Sequence, residues 1–199
     1  MTQTHDKEAA LPDTVEEQLE DLDVRPPEPI DFEIGDSVVY PHHGAGKVLK
    51  KESKAIFGET REYLTIKILH NDMTVMVPCE NACKAGLRRV IDEETVQKVL
   101  GVLCAECSEM PKNWNRRFKH NRDKIKTGDI YELAEVVRNL AIREVDKGLS
   151  TGEKQMFVRA KKILASELMY ALGKGEDEAE EHLDELLSNS AREQIAASA

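Results

Sequence analysis

Glu62-Tyr63-Leu64-Thr65-Ile66-Lys67-Ile68-Leu69 alternates in side-chain character along its length. In an extended chain, successive side chains point to opposite faces. Leu64, Ile66 and Ile68 therefore fall on one face, and Tyr63, Thr65, Lys67 and Leu69 on the other. The pattern predicts a strand with one buried side. Working outward, Asp36–Tyr40, Gly46–Lys51, Met73–Pro78 and Leu87–Ile91 are further short strand candidates. Gly35-Asp36, His43-Gly44, Gly58 and Asn71-Asp72 punctuate them as turns. Five short twisted strands in about 60 residues predict a small Tudor- or SH3-like β-barrel over residues 32–91.

Beyond residue 91 the period changes to that of a helix. Val96, Val99, Leu100 and Leu103 form one apolar stripe. A second helix is expected to begin near Pro111, to carry Trp114, Phe118, Asn121 and Ile125 on one face, and to end at Gly128. Asp129-Ile130-Tyr131-Glu132 reads as an Asp form of the capping box, opening a helix that ends by Gly148. Ser150-Thr151-Gly152-Glu153 is a cleaner box and opens a long helix stopped by Gly173. A last acidic helix carries Ala179, Leu183, Leu186 and Leu187. The fold class is therefore α+β in two domains, a small N-terminal β-barrel over 32–91 followed by an all-α bundle over 92–188. The flanking segments 1–31 and 189–199 read as tails. In the first, Val15, Leu19 and Leu22 are spaced for one amphipathic turn, which Pro26-Pro27 and Pro29 block.

The charge is unevenly spread, and this matters more than its total of -10. Residues 1–31 carry a net -8 and residues 173–199 a net -6, leaving the central part at +4. Between Lys112 and Lys126 stand seven Lys or Arg residues and one acid, Asp123, around the sole tryptophan, Trp114. Cations that neutralise phosphates, set around a ring that wedges or stacks against bases, make a nucleic-acid contact surface. The competing reading has Trp114 in the core and the basic residues on an ordinary solvated helix face. No apolar run approaches the ~20 residues that span a bilayer. The N-terminus lacks the basic start and apolar stretch of a secretory signal. A cytoplasmic protein without membrane contact is expected.

Cys79-x3-Cys83 and Cys104-x2-Cys107 have spacings that a tetrahedral Zn²⁺ site accepts, but the pairs fall in different expected domains. Small buried thiols are the alternative. His42-His43 before Gly44 reads as a turn rather than a metal or acid–base site, because adjacent residues in extended chain point apart. Phosphate-loop, nucleophile-elbow and zinc-protease motifs are lacking, so no enzyme or cofactor is expected. The free N–H groups at Thr151–Lys154 are a second anion candidate, with Lys154 there and Arg143 and Lys147 just before; Glu153 opposes it.

Three ordered motifs resemble one family. Phe32-x-Ile34-Gly35-Asp36-Ser37-Val38-Val39-Tyr40-Pro41-His42-His43-Gly44 resembles the opening signature of the CarD/CdnL bacterial transcription regulators. Asn113-Trp114-Asn115-Arg116-Arg117-Phe118-Lys119 resembles that family's tryptophan motif, and Leu149-Ser150-x-Gly152-Glu153-Lys154 a third shared stretch. The first motif alone also admits the polymerase-binding module of transcription–repair coupling factors; the three together cover about residues 32–188. The resemblance implies a Tudor-like domain that binds the RNA polymerase β subunit, partly by strand pairing, around Lys54, Met76, Val77 and Pro78. It implies a helical domain at the upstream edge of the promoter bubble, with Trp114 as a minor-groove wedge that stabilises the melted state. Arg116, Arg117 and Lys119 would hold phosphates, with Arg143 and Lys154 as further candidates. Such a protein would act as a nucleoid-associated monomer with little base specificity. The chain departs from the family pattern at Met76 and Lys54, where relatives often carry Arg, in its four cysteines, and in its additional N-terminal residues. A protein–protein adaptor with Trp114 as interface anchor, and a zinc-binding structural protein, are the other readings.

Overall fold

A computed structural model describes residues 31–41, 43–56, 59–69 and 72–198; the expectations for residues 1–30, His42, Gly58 and Asn71 lie outside them. The chain forms β1 (Ser37–Tyr40), β2 (Gly44–Ile56), β3 (Glu59–Ile68) and β4 (Thr74–Pro78), then one turn of 3-10 helix (Cys79–Asn81) and β5 (Arg88–Arg89). Five helices follow: α1 (Glu93–Cys104), α2 (Trp114–Thr127), α3 (Ile130–Asp146), α4 (Thr151–Leu172) and α5 (Glu176–Ser198). The protein is α+β, with an antiparallel sheet followed by helices.

The sheet order is β4-β3-β2-β1-β5, so β4 and β5 are its edges. The alternation in β3 is realised: Leu64, Ile66 and Ile68 are buried with Phe32, Val38, Val48, Val77 and Leu87 in one apolar cluster. A register shift between Val48 and Lys50 sets Leu49 apart from the ladder and leaves it exposed. β5 is shorter than the expected Leu87–Ile91, because its flanks have other partners. Leu87 is sunk in the sheet core, and the Ile91 N–H donates to Glu167 on α4.

The helix boundaries follow from their caps. Asp92, Asn113 and Asp129 each accept a backbone N–H from the first turn of α1, α2 and α3. α2 starts at Trp114 rather than near Pro111, because Asn113 is the cap and the Pro111 and Lys112 carbonyls accept from Arg117. Gly128 (φ 75°) and Gly173 (φ 63°) end α2 and α4 in the left-handed conformation that glycine adopts without strain. The bundle core joins Val96, Val99 and Leu103 of α1 to Leu133 and Val137 of α3, Leu164 and Leu168 of α4, and Leu183 and Leu187 of α5. Each such burial contributes about 1.5–3 kcal/mol. α5 runs on to Ser198, so the stretch expected as a C-terminal tail is helical, with Ser190 and Ala191 buried. The Ser190 hydroxyl donates to the Leu103 carbonyl and Gln194 donates to that of Ala105, which ties this stretch to the end of α1.

The sheet and the bundle are packed together. β1 is buried on both faces: Val38 enters the sheet core, while Val39 lines the seam with Ile163 and Glu167 of α4. The Ala45 N–H donates to Ser166 Oγ at 3.0 Å. Arg88 makes a bidentate pair with Glu167 and reaches the Gly128 carbonyl. Pro41 sits where two glycines leave room for it. A Cβ on Gly86 would lie 2.7 Å from its ring, and one on Gly128 3.4 Å. The Tyr40-Pro41 part of the opening motif therefore serves the seam.

Candidate nucleic-acid interface

Trp114 opens α2 and is 43% exposed, so it is a surface residue and not core. Two contacts hold it. Its ring stacks on Phe118 one turn later, with centroids 5.2 Å apart and planes at 24°. Its indole N–H donates to Ser150 Oγ at 2.8 Å. The pair lies over the first turn of α4, where a Cβ on Gly152 would stand 3.4 Å from the Phe118 ring and 3.6 Å from Trp114.

The contact to Ser150 continues inward. The Ser150 hydroxyl donates to Glu153 Oε2 at 2.7 Å, and the Ser150 N–H donates to the same oxygen at 3.1 Å. The other oxygen, Oε1, accepts from Arg117 Nε at 2.7 Å. Both side chains are buried, Arg117 at 4% exposure and Glu153 at 1%. Burial raises the pKa of Glu153, but hydrogen bonds from Arg117 and Ser150 outweigh it and hold the carboxyl below its ordinary value. Arg117 also donates to the carbonyls of Pro111 and Lys112, fixing the chain that enters α2. A chain of polar contacts thus runs from the exposed ring to a buried ion pair.

This geometry corrects part of the expected site. Arg117 is a buried support and presents no charge to a ligand. At the start of α4, the Glu153 N–H donates to Ser150 Oγ and the Lys154 N–H to the Ser150 carbonyl, so two of the four N–H groups of the anion candidate are used within the chain, and the buried Glu153 carboxylate accepts the Ser150 N–H. Asn121, two turns after Trp114 on the same side of α2, is buried, and neither amide atom has a hydrogen-bond partner among the described residues. Arg116 and Lys119 are exposed and have no ion-pair partner among the described residues. At about 100° per residue, Lys119 stands roughly 140° around α2 from Trp114 and Arg116 roughly 200°. Lys154 is exposed and paired with Glu144 at 3.1 Å, while Arg143 is mostly buried and 3.9 Å from Glu153.

Sequence reading did not single out Arg122, Lys126 and Arg159. The first two continue the four-residue spacing of Trp114 and Phe118, which was the available signal. Arg159 on α4 shares a groove with them.

At the expected polymerase contact, β4 is an edge strand and Met76 is 46% exposed on it. Lys54 Nζ lies 3.2 Å from Met76 Sδ and 2.9 Å from Glu52. Val77 is buried in the sheet core, so only its backbone is on offer there; Pro78 is half-buried. The four cysteines are not gathered. Cys79 and Cys83 lie beside the sheet and Cys104 and Cys107 at the end of α1. No group of three His, Cys, Asp or Glu among the described residues is placed to hold a metal ion. The zinc reading is set aside on that geometry. No described helix is long and apolar enough to cross a membrane.

Comparison with known proteins converges with these observations. Residues 32–91 match the CarD-like/TRCF RID domain, and residues 98–184 match the CarD C-terminal domain. The putative transcription factor YdeB of Bacillus subtilis is 39% identical over 137 residues, which is 69% of this chain and 90% of YdeB. The solution structure of the 72-residue N-terminal domain of Myxococcus xanthus CarD is 28% identical, covering 33% of this chain and 91% of that domain with a TM-score of 0.26. With both family domains in order along one chain, and a relative matched over nearly its whole length, this protein belongs to the CarD/CdnL-like family of transcription regulators that interact with RNA polymerase.

Proposed function

We propose that the protein stabilises the promoter open complex, docked on the RNA polymerase β subunit through the β4 edge and touching the upstream edge of the bubble with α2. The unpaired edge of β4 suits strand addition, with Met76 and Lys54 beside it. Trp114 enters the minor groove as a wedge, and Lys119 and Arg116 neutralise phosphates, with Lys154 and Arg143 as further candidates. The protein acts as a monomer with little base specificity.

The observation that carries this reading is the exposed Trp114, held by Phe118 and Ser150 above the buried Arg117–Glu153 pair. Holding an apolar ring in one orientation before contact reduces the ordering cost of insertion. Unstacking a base step costs a few kcal/mol, so a wedge is favourable mainly where DNA is already opening. Tethering to polymerase supplies the effective concentration that sequence-tolerant phosphate contacts lack.

The test is the lifetime of polymerase–promoter open complexes with wild-type and Trp114→Ala protein. The variant is expected to bind polymerase normally and to shorten the lifetime, with Trp114→Phe intermediate. Equal lifetimes would favour an adaptor whose Trp114 meets protein.

A further inference from the structure

A groove between α2 and α4 runs beside the Trp114–Phe118 pair and shares Phe118 with it. Its floor is apolar, made by Phe118 and Ile125 of α2 and Met156 of α4. Its rim is cationic, made by Arg122 and Lys126 of α2 and Arg159 of α4. No carboxylate is among the described residues lining it, in a chain whose net charge is -10. The groove has a volume of about 650 Å³, within the range of pockets that hold a small organic molecule. Gly152 forms part of its wall, and a Cβ there would stand 3.4 Å from the Phe118 ring and 3.6 Å from that of Trp114, so groove and wedge are continuous.

The two halves of this lining ask for one ligand chemistry. Three cations lining one groove call for a polyanion, Arg122 being also 3.8 Å from Asp123 beside it. An aromatic and thioether floor calls for a flat apolar face. Duplex DNA satisfies the first requirement and not the second, because its bases are stacked inside and its backbone is hydrated. A strand with an unstacked base satisfies both.

We propose that this groove receives single-stranded DNA, with one unstacked base on the Phe118–Met156 floor and flanking phosphates on Arg122, Lys126 and Arg159. The proposal rests on the reading of Trp114 as a DNA contact and names what lies next to it. Trp114 props the duplex edge, and the released strand runs on along α2.

The experiment uses the full chain and labelled DNA at low ionic strength, read by fluorescence anisotropy. Three probes share one sequence: a blunt duplex, the same duplex with a short unpaired stretch, and that probe with abasic sites in the unpaired stretch. Wild type is expected to bind the unpaired probe about tenfold tighter than the blunt duplex, and to lose most of that preference on the abasic probe. Lys126→Glu/Arg159→Glu, both surface positions, is expected to lose the preference while keeping Trp114-dependent duplex binding. Equal affinity for blunt and unpaired probes, with binding still sensitive to Trp114→Ala, overturns the groove alone. An equal loss on all probes in the double variant also overturns it, showing a general electrostatic face. No binding to any probe overturns both the groove and the DNA-contact reading.

Discussion

Arg88 and Glu167 join the sheet to the bundle through an ion pair whose two ends are unequally wet: the Arg88 side chain is 31% exposed and the Glu167 side chain 1%. Removing one partner of a buried pair is costly mainly through the charge left behind. The two ends should therefore not be equivalent. Arg88→Ala strands a buried carboxylate with the Ile91 N–H as its backbone donor, and is expected to destabilise by about 3 kcal/mol or more. Glu167→Gln leaves a guanidinium that can turn to water, and should cost about 1–2 kcal/mol. Urea denaturation of both variants checks the order; equal losses would mean that the pair is screened as a surface pair is.

Trp114→Ala should leave the fold nearly intact. A truncated core tryptophan typically costs ~3–5 kcal/mol. Trp114 is half in solvent, and its truncation removes one hydrogen bond and one ring stack, so about 1–2 kcal/mol is expected. A thermal melt decides. A core-sized loss, with open-complex lifetime falling only in step with unfolding, would remove the case for a wedge.

Acid should loosen the support beneath Trp114. The folded-state pKa of Glu153 is lowered, so its stabilising contribution is present above its ordinary value of 4.5 and lost as pH falls through the folded value. Wild type is therefore expected to lose stability below about pH 4.5 more steeply than Glu153→Gln. The Gln variant is less stable at neutral pH, and the two curves should approach each other in acid. Parallel curves would show that Glu153 is not held by Arg117 in solution.

Exposed and buried arginines on α2 should behave differently toward salt. Arg116→Glu or Lys119→Glu should weaken DNA binding and reduce the slope of log affinity against log salt by about one for each phosphate no longer neutralised. Arg117→Met removes a charge from the same motif but breaks the buried pair with Glu153, and should appear first as lower stability. A reduced slope in Arg117→Met with an unchanged melting temperature would place that guanidinium at the surface.

Much of the fold was legible because local chemistry repeats at the period of its element. Leu64, Ile66 and Ile68 declare a strand, and Asp129, Ser150, Gly128 and Gly173 declare helix ends. The candidate site was legible as composition and less so as geometry. Arg116 and Arg117 are adjacent in sequence, yet one is exposed and the other is paired with a carboxylate 36 residues away. No local pattern separates two neighbouring arginines, because burial is decided by which side of α2 meets α3 and α4. Val39 is a similar case: alternation would send it to solvent, and the bundle covers it. The cations on the groove side of α2 were visible only as part of a basic run, since their relation to Arg159 needs α4 beside them.

The two charged helices have one consequence for motion. α2 holds six Lys or Arg residues and one acid, while α5 holds eight acids and one Arg. Both pack against α3 and α4 and not closely against each other, so the opposite charges stand apart in the bundle. Such a molecule carries a permanent dipole. Near a polyanion it feels a torque before it touches, and rotational diffusion is biased to bring α2 forward and α5 away. The benefit falls on the rate of productive encounter rather than on the final affinity, and it fades once the Debye length, about 10 Å at 0.1 M salt, becomes shorter than the separation between the two helices.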